Sequence, residues 1–171
     1  MSAHEMITAS DTKFDQGLLR QAFGLFPSGV TAFCAMIDGK PEGMAASSFT
    51  SVSIDPALVS VCVANTSSTW PRLAALPTLG LSVLAFEHGL VARQLSARGV
   101  DRFAEIDWAQ TESGAVFVHG ASLWLECTPF KTVDAGDHQI VVLEIQSMLL
   151  KPDIAPMVFH RSAFHEIAHS A

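Results

Sequence analysis

Gly43 to Leu73, GMAASSFTSVSIDPALVSVCVANTSSTWPRL, is the stretch around which the chain is organised. It reads as two strands joined at Ile54-Asp55-Pro56 and followed by the start of a helix. Its hydroxyl content is unusual. Ser47, Ser48, Thr50, Ser51 and Ser53 fall within seven positions, broken only by Phe49 and Val52, where a buried strand would carry branched aliphatics. So many hydroxyls point to a polar ligand. A second cluster, Ser67, Ser68 and Thr69, stands before Trp70-Pro71-Arg72, and proline favours the first position of a helix, whose free N–H groups attract anions. The two clusters together suit a phosphate. A solvated strand face plus a simple helix cap is the alternative, since capping needs one hydroxyl.

The 171 residues suit one domain, large enough to bury roughly two-thirds of its unfolded surface. Apolar residues make up 49% and charged residues 16%, with a mean hydropathy of +0.33. That excess implies a large core or an apolar interface between subunits. No apolar run reaches the ~20 residues needed to cross a bilayer, and the first residues lack the pattern of a signal peptide. The expectation is a cytoplasmic protein without a membrane. A net charge of −7 argues against nucleic acid, which demands a basic face. Cys34, Cys62 and Cys127 are odd in number and set in apolar runs, so buried, inert thiols are expected.

Residues 1–13 read as a flexible leader, 14–166 as the domain and 167–171 as a tail. Leu18, Leu19, Ala22, Phe23, Leu25 and Phe26 recur at helical spacing behind Asp11 or Thr12 as caps, and the helix stops at Pro27-Ser28-Gly29. Strands are predicted over 30–37, 57–64 (central), 79–85, 115–118, 121–130, 139–150 (with a bend or bulge) and 157–159, with a turn over 38–43. Short helices are predicted over 69–76 and 87–95, and 99–114 as a surface excursion. This is a mainly β chain without a βαβα alternation, and an antiparallel barrel follows.

Neither a Gly-rich dinucleotide fingerprint nor a GxxxxGK[ST] loop occurs. His165-Glu166-Ile167-Ala168-His169 matches H-E-x-x-H, in which two helical histidines bind zinc. At the end of the chain it reads as a tail, with a zinc hydrolase as a remote alternative. Asp137-His138 follows Ala135-Gly136 at the start of a strand. His138 is a turn residue or a group placed for proton transfer or hydrogen bonding. Arg161 ends another strand, where it is solvated or grips a phosphate.

The landmarks Phe26-Pro27-Ser28-Gly29-Val30-Thr31, Gly43-Met44 through Ser47-Ser53 to Asp55-Pro56, Asp101-Arg102-Phe103, Ala135-Gly136-Asp137-His138 and Phe159-His160-Arg161 occur in order. On these the chain resembles the flavin reductase domain family, whose members use NAD(P)H to reduce flavin for two-component monooxygenases. The resemblance implies an FMN-binding split β-barrel of Greek-key type with a few short helices, a homodimer with flavin near the interface, and a monooxygenase partner. It implies FMN or FAD as the flavin and NADH or NADPH as the hydride donor. It sets flavin against Gly29, Val30 and Thr31, against Ala46, Ser47, Ser48, Phe49, Thr50 and Ser53, and against Asn65, Ser67, Ser68 and Thr69. It sets His138 at the nicotinamide as the catalytic residue, and Arg161 near either nucleotide; no metal is implied. Ala57 stands for a usual second proline, and Phe159 where tyrosine is common. A carrier that binds flavin without reducing it is the alternative on the same barrel.

Overall fold

A computed structural model describes residues 14–167. The leader over 1–13, with Asp11 and Thr12, and nearly all of the 167–171 tail, with His169, lie outside the described residues. Helix α1 (Gln16–Gly24) is capped by Asp15, whose carboxylate accepts from Leu18 N–H at 2.7 Å. Then come β1 (Ser28–Gly29), β2 (Thr31–Ile37), β3 (Lys40–Ala46), β4 (Thr50–Ser53) and β5 (Leu58–Ala64). Asp38 and Gly39 both take positive φ (51° and 76°), as a tight turn between twisted strands requires. The hydroxyl-rich stretch is therefore broken at Ser47-Ser48-Phe49, and three strands stand where the sequence predicts two.

Helix α2 (Trp70–Ala74) precedes β6 (Leu79–Val83), and a 3-10 turn at Phe86–His88 runs into α3 (Gly89–Ser96). Next are β7 (Trp108–Gln110), β8 (Val116–Val118), β9 (Leu123–Ala135), β10 (His138–Leu150), β11 (Met157–His160) and β12 (Ala163–Glu166). The expected irregularity in β10 is present, with register shifts at Val142/Leu143 and Ile145/Ser147. The 99–114 excursion is more than surface, because it contains β7 and buries Phe103 and Ile106. Cys34 and Cys127 are buried, and burial raises both thiols, that of Cys127 to about 12. Cys62 corrects the expectation of three buried thiols: it points out of β5 and is exposed. His165 and Glu166 lie in β12, paired with Val158 and Met157. A zinc motif of this spacing needs a helix to turn both histidines to one face, so the hydrolase alternative is withdrawn.

Seven strands form one antiparallel sheet in the order β3-β2-β6-β9-β10-β5-β4. The predicted central strand β5 is paired on both sides, one place from an edge. The two edge strands are consecutive in the chain, separated by Ser47, Ser48 and Phe49 alone. Flat, a sheet of this width would hold its edges about 29 Å apart at ~4.8 Å per strand, whereas this link spans at most about 14 Å. The sheet must curl on itself. The mainly β split barrel is the result, and its near-closure sits at the hydroxyl-rich link.

Strand β2 is buried on both faces because its side chains alternate between two cores. Phe33 and Ala35 point into the barrel with Val61, Leu81, Leu125 and Leu143. Ala32 and Cys34 point outward to α3, β8 and Met157. The sheet β1-β11-β12 completes the outer layer, tied to the barrel by Leu84 N–H to Val30 O (2.9 Å) and Met157 N–H to Leu84 O (2.8 Å). Gly80 of β6 lets β8 approach closely, since a Cβ there would collide with the carbonyl, C and N of Val116. Backbone cannot swing aside as a side chain can. Gly80→Ala is expected to cost about 1–3 kcal/mol of stability, read as a lower urea midpoint at unchanged slope.

Candidate functional site

A groove runs over the outer face of β3 where α3 crosses it. Its first part, about 150 Å³, is bordered by Val30, Ala45, Ala46, Ala92, Phe159 and Phe164. Its second, about 210 Å³, is bordered by Ser67, Ser68, Thr69, Arg98 and Arg102. Ala45 and Ser96 border both, so the two are continuous. One end is apolar with a floor of small side chains; the other carries hydroxyls and two guanidinium groups. Among the described residues neither arginine has a carboxylate within ion-pair distance.

The hydroxyl loop is held from two sides. Asn65 N–H donates to Asp137 O at 2.9 Å, and its side-chain amide donates to Gly136 O at 3.3 Å. This fastens the loop to the β9–β10 hairpin, opened by Gly136 at φ 67°. On the other side Arg102 donates from Nε to Ala97 O (2.7 Å) and from one Nη to Gly43 O (2.9 Å) and Thr69 Oγ1 (2.6 Å). One side chain thus joins the end of α3, β3 and the loop. Ser67 Oγ accepts from Trp70 N–H at 3.1 Å. With Thr69 and Ser67 committed, Ser68 is exposed and its hydroxyl has no partner among the described residues.

The structure brings Val30, Ala46, Ser47, Ser67, Ser68 and Thr69 to the groove, and leaves other expected ligands around it. Thr31 is buried and its hydroxyl donates to Ala46 O at 3.0 Å, so its task is to hold the groove floor. Ser48 Oγ accepts from Cys62 N–H (2.9 Å) and donates to Cys62 O (3.0 Å), which seals the barrel seam. Phe49 packs against the barrel core. Thr50 and Ser53 lie on the edge strand, and Gly29 is exposed beside Val30. Arg161, at φ 50°, is in the β11–β12 turn and its N–H donates to Gly24 O at 3.0 Å, outside the groove. His138 pairs with Ala64 in register, next to Asn65. Its Nδ1 lies 2.7 Å from Asp137 Oδ1. The hydrogen bond to His138 and then the His138 charge hold the exposed Asp137 carboxyl below its ordinary value. An ionised Asp137 accepts a hydrogen bond from Nδ1–H and leaves Nε2 for a ligand.

Ala45, Ser96, Arg98, Arg102 and Phe164 join the expected residues at the groove. Arg98 lies just past α3 beside Gly99, a pattern that marks a helix end as readily as a ligand, and Arg102 follows in the next turn. Only the fold shows that this end faces Ser67–Thr69.

The chain is similar to known proteins in sequence and in fold. Residues 23–168 match the family model of the flavin reductase like domain. An NADH-dependent FAD reductase of Streptomyces globisporus is 38% identical over 162 residues, covering 92% of this chain and 88% of that protein. The reductase component of a flavin-dependent trigonelline monooxygenase of Acinetobacter baylyi is 37% identical over 154 residues; 90% of this chain is covered, but only 49% of that protein. Among solved structures, the S. globisporus C-1027 NADH:FAD oxidoreductase SgcE6, in complex with NAD and FAD fragments, superposes with a TM-score of 0.89 at 37% identity, covering 98% of this chain and 99% of that one.

The two serines should separate on substitution. Ser48→Ala is expected to lower unfolding stability by about 1 kcal/mol, through the lost seam hydrogen bonds. Ser68→Ala should leave it unchanged, both being read by urea denaturation.

Proposed function

The chain belongs to the flavin reductase like domain family, and we propose that it is an NAD(P)H:flavin oxidoreductase supplying reduced flavin to a monooxygenase. The observation that carries the reading is the polarity gradient of the groove. A flat apolar ring suits the Ala45–Ala46 floor between Val30, Ala92, Phe159 and Phe164. An anionic phosphorylated tail suits Ser68, Arg98 and Arg102 at the other end. FMN and FAD have this amphipathic shape, so the residues present fit the group. NADH and FAD are the pair that the Streptomyces relative uses by name, and NADH is the donor to test first.

The flavin and the nicotinamide supply the hydride chemistry, and the protein supplies alignment and shelter from water. Ser68 and the two arginines hold the phosphate, Thr31 and Arg102 keep β3 and the hydroxyl loop in place, and Ala45 and Ala46 leave room for a planar ring. His138 stands at the hairpin that anchors the loop, with Nδ1 held by Asp137. Its free Nε2 orients the donor. The enzyme works in the cytoplasm, where NAD(P)H is regenerated.

A second copy completes the site. The apolar side chains of α1 and of the turn after it find no core among the described residues: Phe23 is 70% and Phe26 77% exposed. Phe130 and Val133 on β9, Met148–Leu150 on β10, and Ile54 in the turn after β4 are exposed too. Surfaces this apolar are characteristic of permanent dimer interfaces. The groove parts are also shallow for a ligand of this size, and a partner surface would roof them.

Sedimentation at micromolar concentration should therefore give one species near twice 18.3 kDa, and a stable active monomer contradicts the dimer. NADH absorbance should fall when FMN or FAD is added in excess; a protein that binds flavin and leaves NADH untouched is a carrier. His138→Ala should slow anaerobic flavin bleaching by NADH on the order of tenfold to a hundredfold, with flavin affinity little altered. A rate within about twofold of the parent, only ~0.4 kcal/mol of barrier, removes His138 from the site.

A further inference from the structure

A further cleft, larger than either part of the groove, lies beyond the hydroxyl end and has no role in the reading above. Its volume is about 790 Å³, inside the range of roughly 300–1,000 Å³ of small-molecule sites. The start of β3 forms one wall, the Ser68–Arg72 segment another, and the loop over 99–103 a third. Ser68, Thr69 and Arg102 border both this cleft and the groove. A ligand with its phosphate at Ser68 therefore continues directly into the cleft.

The lining is selective. Lys40, Arg72 and Arg102 supply three cations against the carboxylates of Glu42 and Asp101. Asp101 Oδ1 accepts from Phe103 N–H at 2.9 Å, so it braces the loop. Glu42 is ion-paired with Arg72, and Arg72 keeps half of its side chain open to solvent. Trp108, half-buried, adds an indole surface at the same cleft. A forked cation for phosphate oxygens and an aromatic face for a purine are the two elements that recognise a phosphorylated adenosine. A single phosphate would leave most of this volume unused.

We propose that the cleft binds the ADP unit of a nucleotide, with Arg72 gripping its phosphates, Trp108 meeting its adenine, and Glu42 serving as the counter-ion that the phosphates displace. The proposal rests on the reductase reading, since both FAD and NAD(P)H carry this unit. Glu42 holds the Arg72 fork in the cleft when no nucleotide is present and competes with bound phosphate, which favours release. Removing its charge should tighten binding.

The test uses the full chain, with ADP as the titrant in calorimetry and with kinetic arms for the source of the unit. The parent should bind ADP, Arg72→Gln should weaken it at least tenfold, and Glu42→Gln should tighten it several-fold. If flavin supplies the unit, Arg72→Gln raises the Kd of FAD more than that of FMN. If the donor supplies it, the variant raises the KM for NADH with FMN as acceptor. Absence of ADP binding by the parent at millimolar concentration, or equal binding by parent and Arg72→Gln, overturns the proposal. Should Arg72→Gln fail to fold, Glu42→Gln decides: tighter ADP binding supports the cleft, and unchanged or weaker binding overturns it. A parent that oxidises NADH with FMN yet ignores ADP loses the cleft alone. One that binds ADP through Arg72 yet reduces no flavin loses the reductase reading alone.

Discussion

The link of three residues between β3 and β4 constrains everything else in this molecule. Because the strands it joins are the two edges of a seven-stranded sheet, so short a span forces the sheet into a barrel. Barrel closure then fixes where polar groups gather. Ser48 is used to stitch the seam to Cys62, Ser47 is turned toward the groove, and Phe49 fills the core beneath. Three adjacent residues thus face three environments, which alternation along a continuous strand would not permit.

The second organising group is the Arg102 guanidinium. Its hydrogen bonds reach α3, β3 and the hydroxyl loop at once, and it stands where groove and cleft meet. Hydrogen bonds made by a charged donor are worth more than neutral ones, at about 1.5–3 kcal/mol each. The hydroxyl loop is consequently fixed before a ligand arrives, from one side by Arg102 and from the other by the bonds of its Asn65 to the β9–β10 hairpin. Preorganisation of this sort lowers the ordering cost of binding.

Much of the fold is legible in the sequence because it rests on local signals. Asp38-Gly39 announces a tight turn, the apolar runs announce strands, and the length of β10 announces its bulges. The failures have physical causes. The hydroxyl stretch reads as one strand because nothing local marks Ser47–Phe49 as the seam of a barrel. Phe103 and Ile106 read as surface because the core that buries them includes Val30, Ala32 and Cys34 at one end of the described chain and Met157 at the other, distant in sequence. Cys62 sits among valines, yet one face of β5 looks outward, and composition cannot tell the faces apart. At the site, the loop over Ser67–Thr69 and the hairpin at His138 are visible in the chain. Arg98, just past α3, gains its meaning only from the fold, and so do the hydrogen bonds of Arg102 behind the Asp101-Arg102-Phe103 landmark.

The pairing of Ser28 and Gly29 with Phe159 and Val158 joins opposite ends of the described chain. Contacts of such sequence separation form late, since the entropy of closing the loop must be met before they stabilise anything. On the ribosome, the segment that begins the outer layer waits for nearly the whole chain to emerge. Until β11 arrives, Val30 is open to other nascent chains. The order of synthesis thus opposes the order of assembly, and a holding chaperone or a nearby sister chain has a defined window in which to act.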